Sequence, residues 1–364
     1  MDKGSYSYKG LDTKYDHFSA PSFEIVVAGK KFASKKVNIT TLEVEQVCDG
    51  TAGGCSFSVQ GQYNHEKQKW ENDVADAIEV GKKLEVYGGY VDKKLLFYGY
   101  VDDYAMNFER EGIPSIEVTG LDALGYLMSL KEPLYAGERK ASDIITEILN
   151  KCVSAGFAKS VTVTAPQGIE EAPIIKERVD DWTFLNLMAQ RYGMSLFCVA
   201  GELIFDNVAS NNSPILTLHM GKHLHGFKKR VSLAHQVGKV EIWGRDISQK
   251  PIKGYATHVK TGKGKAASDL VGGIKKAVVR EYSELVRTQA ECTRMAQNRL
   301  DSIAMGFMSG SGACIGIPEL IPGRYLTISG ADKKTSGNFF LTRVRHIFEN
   351  EAYRTEFEVK GAKA

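Results

Sequence analysis

One strand-and-turn pattern occurs twice in this chain of 364 residues. The first copy reads Gly81-Lys-Lys-Leu84-Glu-Val86-Tyr-Gly88, then Asp92-Lys-Lys, then the apolar run Leu95-Leu-Phe-Tyr-Gly-Tyr-Val101. The second reads Gly323-Arg-Tyr-Leu326-Thr-Ile328-Ser-Gly330, then Asp332-Lys-Lys, then Phe339-Phe-Leu-Thr-Arg-Val344. Each copy closes on another alternating strand, Ile116-Glu-Val118-Thr-Gly120 in one and Phe357-Glu-Val359-Lys-Gly361 in the other. Period-two alternation bounded by turn residues marks half-buried antiparallel strands. Gly88 and Gly330 each leave a strand of the form apolar-x-apolar-x-Gly, where a positive φ is commonly needed and a Cβ strains the turn. If both modules follow one plan, Gly81 matches Gly323, Leu84 matches Leu326, Val86 matches Ile328 and Gly88 matches Gly330. The four apolar side chains then point into their modules, with Glu85 and Thr327 on the opposite faces. Chance similarity of two strand meanders is the competing account. A chain that carries one module twice presents six of them in a ring when it forms a trimer.

Composition excludes several classes. With 47 basic and 44 acidic residues the formal net charge is +3, which is not the basic footprint of a nucleic-acid binder. The N-terminal Met1-Asp-Lys-Gly-Ser-Tyr-Ser-Tyr lacks the apolar core of a signal peptide, and no run approaches the ~18 apolar residues that span a bilayer. No direct membrane anchor is expected. The cysteines at 48, 55, 152, 198, 292 and 314 contain no Cys-x-x-Cys pair, which fits reduced, buried thiols. Cys48 and Cys55 flank a glycine-rich turn and are within reach across a loop, but packing is the simpler role.

Along the chain the pattern is β, then α/β, then β, an α+β class dominated by strands. Residues 1–20 are polar and Tyr-rich and read as an N-terminal arm. Residues 21–130 form the first β module. Residues 131–220 form an inserted α/β domain with two helices. Ser142 and Asp143 can cap the first, whose apolar face is Ile144, Ile145, Ile148, Leu149 and Cys152. Asp181 can cap the second, with Trp182, Leu185, Met188, Ala189 and Tyr192 at helical spacing and Gly193 as the stop. Residues 221–364 form the second β module. Within it, the Lys- and Gly-rich segment 249–277 has few apolar residues and predicts an exposed, mobile excursion. A helix is expected from about Glu284 to Ala304, with Leu285, Cys292, Met295, Ala296, Leu300 and Ile303 on one face.

The stretch from Arg299 to Glu358 resembles the phage late-control D family of tail hub proteins, relatives of the N-terminal part of VgrG spikes and of the T-even phage baseplate hub. The resemblance lies in the helix end Arg299-Leu300, in Gly316, Pro318, Leu320, Pro322 and Gly323, and in Leu326-x-Ile328-x-Gly330. It continues through Gly337-Asn-Phe339, Val344-x-His346 and Tyr353-Arg-Thr-Glu-Phe357, with Asp180-Asp-Trp-Thr-Phe-Leu similar to the family's middle helix. The resemblance implies two antiparallel β-barrel modules like the tube-forming barrel, and a homotrimer forming a pseudo-hexameric ring. It implies a structural baseplate hub in a contractile phage tail or tail-like particle, assembled in the bacterial cytoplasm. Its expected partners are the tail tube protein and a trimeric spike, with tape measure and other baseplate proteins as further candidates. Because the sequence given stops soon after the second module, at Lys360-Gly-Ala-Lys-Ala, the spike is expected to be a separate chain.

Catalytic readings are weaker. In His219-x-x-x-His223-x-His225, His223 and His225 share a face if the segment is a strand and could share a metal. No Cys is near and Asp206 is the closest carboxylate, so a surface or interface pair is the plainer role. Ser309 and Ser311 lack the Gly-x-Ser-x-Gly frame, since Phe307 and Ser309 stand where its first glycine belongs. Lys260 to Lys265 lacks phosphate-loop spacing. Asp102-Asp103 and Glu170-Glu171 are adjacent acids that a strand would point to opposite faces, so neither pair alone is a glycosidase couple. The expectation is therefore a protein without enzymatic role, cofactor or metal. A peptidoglycan-degrading tail enzyme and a carbohydrate-binding tail module are the alternatives, the latter suggested only by 16 Tyr and 16 Phe.

Overall fold

The computed structural model describes residues 3–33, 37–135, 137, 139–166, 174–284 and 286–364. The first part runs α1 (Tyr8–Lys14), β1 (Ser22–Val27), β2 (Lys30–Ala33), β3 (Ile39–Val47) and β4 (Gly54–Gln60). A small hairpin, β5 (Tyr63–Asn64) with β6 (Lys69–Trp70), and the short α2 (Val74–Ala77) lead into a meander. Its strands are β7 (Lys83–Gly89), β8 (Lys93–Asn107) and β9 (Ser115–Leu121), and α3 (Ala123–Leu127) follows. The middle holds β10 (Leu134–Tyr135), α4 (Ala141–Ser154), β11 (Ser160–Val163), β12 (Ile175–Lys176), α5 (Asp181–Tyr192), β13 (Ser195–Val199), β14 (Glu202–Asp206) and β15 (Pro214–His219). The last part runs β16 (Leu224–Val231), β17 (Lys239–Arg245), β18 (Pro251–Ala256), α6 (Ala267–Leu270), α7 (Gly272–Lys276), β19 (Val278–Tyr282) and α8 (Gln289–Ala304). It ends with β20 (Met308–Ile315), β21 (Tyr325–Ser329), β22 (Gly337–Glu349) and β23 (Ala352–Gly361).

Strand order repeats. In the first module neighbouring strands are β3-β4-β9-β8-β7, and in the second they are β16-β20-β23-β22-β21, all antiparallel. Chain order within the two sets is also the same. Two irregularities coincide too, although the bulge of β7 against β8 at Val86/Tyr87 has no counterpart between β21 and β22. β3 and β16 are each bulged against the next strand, at Ile39/Thr41 and Leu224/Gly226, and β8 and β22 are bulged at Val101/Asp103 and Leu341/Arg343. Two bulges in matching places pin one register, because a bulge fixes which residues face the core. The mouths match as well: Gly81 N–H donates to the Val101 carbonyl at 2.8 Å, and Gly323 N–H donates to the Leu341 carbonyl at 2.9 Å.

One expectation about the modules changes, the matching of their closing strands, and the structure adds two features. The modules are not separate sheets, because β3 pairs with β22 and joins them into one thirteen-stranded sheet over a shared core. The closing strands are matched two residues off: Val101 faces Gly120 and Leu341 faces Val359, so Gly120 corresponds to Val359 rather than to Gly361. The flanking strands differ in direction, β1 lying antiparallel to β7 and β15 parallel to β21. The N-terminal arm is seated as well, with Leu11, Tyr15 and Phe18 buried in the shared core.

Two smaller cores complete the molecule. α3, α4 and α5 pack on β13 and β14 through residues such as Ile145, Leu149, Leu185 and Phe205. α4 begins at Ala141 with no side-chain cap, so Ser142 and Asp143 lie inside it. α5 is capped by Asp180, whose carboxylate accepts from Thr183 N–H at 2.7 Å. Asp181 is instead fully buried and paired with Lys176 and Lys151. Gly193 ends α5 at φ 65°. The third core lies between α8 and the small sheet β18-β17-β19.

The expected excursion 249–277 is corrected there. Pro251–Ala256 is a strand of that sheet, Lys260 N–H bonds Asp301, and Lys265 exchanges two backbone bonds with Ala364. α8 starts at Gln289 behind a Thr288/Glu291 capping box rather than near Glu284. Leu285, assigned to its apolar face in the sequence, lies outside the described residues. Among the described residues no helix is long and apolar enough to cross a membrane.

Candidate functional site

The junction of the two modules is where the chain's charge and packing converge. β22 and β3 run antiparallel from Arg343 opposite Val47 to Glu349 opposite Thr41. Alternation sends Glu43, Glu45, Arg343 and Arg345 to the half-exposed face. Arg343 Nη1 lies 3.0 Å from Glu45 Oε1, and Arg345 Nε donates to Glu43 Oε1 at 2.8 Å. Arg345 also reaches Glu356 at 3.5 Å, and Arg354 links Glu356 and Glu349. Partial burial acts to lower the Arg345 pKa, but the Glu43, Glu45 and Glu356 carboxylates outweigh it and hold the charge in place. Each such pair is worth about 0–1 kcal/mol at the surface, so the network fixes register more than it adds stability.

The inner face of the junction is closed. Leu42, Val44, Val344 and Phe348 are buried, and His346 has no exposed surface. His346 Nδ1 lies 2.8 Å from Tyr353 Oη and 3.3 Å from Thr355 Oγ1, and Thr355 Oγ1 also accepts from Ile317 N–H at 2.9 Å. Desolvation drives the His346 pKa down from 6.5 to about 3, with the Leu320 backbone pulling weakly the other way, so the ring is neutral.

A second polar knot ties the arm to both modules. Tyr15 Oη donates to buried Glu319 Oε1 at 2.7 Å, Lys14 Nζ lies 2.9 Å from the same oxygen, and Lys94 Nζ lies 3.5 Å away. Burial first, and then Glu319, push the Tyr15 hydroxyl well above its usual pKa.

The repeat positions singled out in the sequence lie at this core. Leu84, Val86 and Leu326 have no exposed surface and Ile328 is 1% exposed, while Glu85 and Thr327 are partly exposed on the other side. Gly81, Gly323 and Gly330 have φ of 82°, 78° and 77°. Gly88 differs: the positive φ belongs to Gly89, and Gly88 is needed for space, since a Cβ there would meet Leu96 Cδ1 and Phe348 Cζ at 2.6 Å. A Cβ on Gly330 would strike the His219 ring. The shared basic position has two fates, exposed Lys82 and buried Arg324, whose Nη2 donates to the Gly4 carbonyl at 3.0 Å.

The histidine cluster stays together only in part: His219 N–H donates to His223 Nδ1 at 3.1 Å and their ring centroids lie 6.4 Å apart. His223 stacks on Tyr8 with ring centroids 3.7 Å apart, His219 Nδ1 lies 2.7 Å from the Met220 carbonyl, and His225 is exposed. Among the described residues no group of three or more His, Cys, Asp or Glu could hold a metal ion. All six cysteines are free and buried, Cys48 and Cys55 included. Asp102 and Asp103 are exposed on β8, Ser309 and Ser311 lie within β20, and Glu170-Glu171 falls outside the described residues. The sequence reading missed the charged stripe. Its signal was Glu43-x-Glu45 on one strand and Arg343-x-Arg345 on another, opposite charges at strand period.

The family model described as "Alg8 N-terminal domain" matches residues 18–350. No curated protein matches the chain. Among solved structures, the prophage MuSo2 43 kDa tail protein from Shewanella oneidensis superposes with a TM-score of 0.70 at 16% identity, covering 93% of this chain and 98% of that one. A tail protein from Neisseria meningitidis MC58 gives 0.69 at 12%, covering 94% and 96%. An E. coli component of the type VI secretion system, described as structurally similar to the T4 bacteriophage tail proteins gp27 and gp5, gives 0.56 at 11%, covering 89% and 74%. The fold is that of phage tail proteins.

Proposed function

The chain belongs to the Alg8 N-terminal domain family, and from that premise we propose that it is a structural hub of a contractile tail or tail-like injection particle. In this reading three copies close a ring whose six modules meet a hexameric tail tube on one side and a separate trimeric spike on the other. The chain serves by geometry and not by catalysis. One observation carries the reading: the two modules share strand order, chain order and two bulge positions. A single-module subunit in three copies offers a sixfold tube only three equivalent contacts, whereas a doubled module offers six. The tail and secretion-system proteins that share the fold support the same setting. Cryo-electron microscopy of particles purified from cells that make this chain is the test. Three copies at the tube terminus are expected; one or six copies there, or absence from the particle, would overturn the proposal.

A further inference from the structure

We propose that the chain makes its junction a second time, between copies: the open edge of β16 in one copy pairs antiparallel with the open outer half of β8 in the next. The partner is a second copy of this chain. This seam deepens the ring reading and rests on it for closure at three copies.

The internal junction is the template. It joins the β3 edge of one module to the outer half of β22 in the other. The matched bulges map β3 onto β16 and β22 onto β8, so the same joint requires the β16 edge and residues 103–107 of β8. Both are open within one chain. Among the described residues β16 ends the sheet and has β20 as its one strand partner, with an isolated bridge from Leu224 to Met220. β8 leaves β7 after Tyr100, Val101 is bonded to Gly81 and Lys82, and from Asp103 onward its one strand partner among the described residues is β9.

Exposure gives an independent indication. Tyr104 and Met106 are 36% and 41% exposed, whereas their counterparts Val344 and His346 are both 0% exposed inside the filled junction; Phe108, just past β8, already packs on the Tyr63 and Trp70 rings. On the other edge Val231 is 52% exposed, and its counterpart Gln46 is 4%. Apolar side chains thus stand in solvent at the very positions that a pairing strand would cover.

Charge supplies the complementarity, with its sign reversed. The acids Glu43 and Glu45 of β3 correspond to Lys228 and Arg230 of β16, both exposed. The base Arg343 of β22 corresponds to exposed Asp103 of β8, beside Asp102. The internal Arg343–Glu45 pair therefore becomes Asp103 with Arg230 across the seam, while the position of Arg345 is taken by uncharged Ala105. In this register Tyr104 of one copy lies opposite Val231 of the next, as Val344 lies opposite Gln46. Each chain offers two different edges, so the contact is heterologous and can close a ring.

The test uses the full-length chain carrying Tyr104→Cys and Val231→Cys, mildly oxidised, with each single variant as control. The six native cysteines are buried and leave the background low. The double variant is expected to form covalent multimers several-fold above either control, with a closed three-chain species dominant. Adding Arg230→Asp or Asp103→Arg alone should suppress cross-linking, and adding both should restore it. A covalent ladder of other sizes would keep the seam and overturn threefold closure. A trimer by native mass that does not cross-link would overturn the seam and leave the ring. Cross-linking no higher than the single variants with the chain monomeric, or no restoration by the charge exchange, would overturn the seam as drawn.

Discussion

Replacing His346 with Asn should cost stability at neutral pH, and the cost should shrink on acidification by an amount the structure sets. His346 is fully buried beside Tyr353 and Thr355, and its pKa is lowered from 6.5 to about 3. Between those values the unfolded chain binds a proton that the folded chain refuses, so stability falls as pH drops through that window. At about pH 5 the penalty is about 2 kcal/mol, approaching about 5 kcal/mol once pH falls to about 3. Wild-type pH dependence alone would hide this. Burial also raises the Asp122 carboxyl from 3.8 to about 7 despite its bonds from Leu124 and Gly53 N–H, so acidification relieves a cost there. The two groups pull in opposite directions over much the same range. The difference between wild type and His346→Asn cancels Asp122 and every other common group. At about pH 7.5 the variant should be less stable by about 1–3 kcal/mol, the cost of a disturbed buried hydrogen bond. Urea unfolding followed by circular dichroism at about pH 7.5 and about pH 5 should show that gap narrowing by about 2 kcal/mol. A gap that stays constant would refute the claim that His346 is held neutral by the folded junction.

Asp181→Asn should destabilise the chain by about 3–5 kcal/mol in thermal or urea unfolding, because it leaves the buried Lys176 ammonium without its carboxylate; replacing both residues by apolar ones should recover most of the loss. A Glu43→Ala and Arg345→Ala double-mutant cycle should give a coupling of only about 0.5–1 kcal/mol that weakens in salt, since both side chains are more than one-third exposed or close to it, at 34% and 39%. A salt-independent coupling of several kcal/mol would show the stripe to be a main source of junction stability.

What the sequence revealed, and what it hid, follows from the range of the interactions involved. The module mouths were legible because Gly81 and Gly323 need positive φ and so keep glycine. The register of the closing strands was not, because a bulge at Asp102 or Thr342 shifts pairing without leaving a compositional mark. Asp180 and Asp181 are equally good caps on paper. Lys176, brought alongside by β12, claims Asp181 and leaves the cap to its neighbour. β18 was hard to read as a strand because two of its three inward residues are Gly254 and Ala256, beside Ile252; Gly254 lies so close to α8 that a Cβ would strike the Thr293 backbone. Two signals were present and passed over. Leu11, Tyr15 and Phe18 stand at helical spacing in the supposed arm, and Thr288-x-x-Glu291 marks the true start of α8.

The reversed charges also bear on how a doubled module avoids joining wrongly. Within one chain, acidic β3 meets basic β22; between chains, basic β16 would meet acidic β8. Had both joints kept the same signs, any β3-type edge would fit any β22-type edge. A neighbour's β16 could then compete for the outer half of β22, and the ring would have to reject swapped partners by shape alone. With the signs reversed, β16 approaching β22 sets Lys228 and Arg230 against Arg343 and Arg345. β3 approaching a neighbour's β8 sets Glu43 and Glu45 against Asp103. Like charges opposed across a strand pair disfavour both errors, and the correct partners remain attractive. The cost of this selectivity is small while the side chains stay at the solvent face, where an ion pair contributes little to stability but still distinguishes partners. In the proposed ring, duplication supplies six modules, and sign reversal at three charged positions gives the two kinds of seam separate addresses.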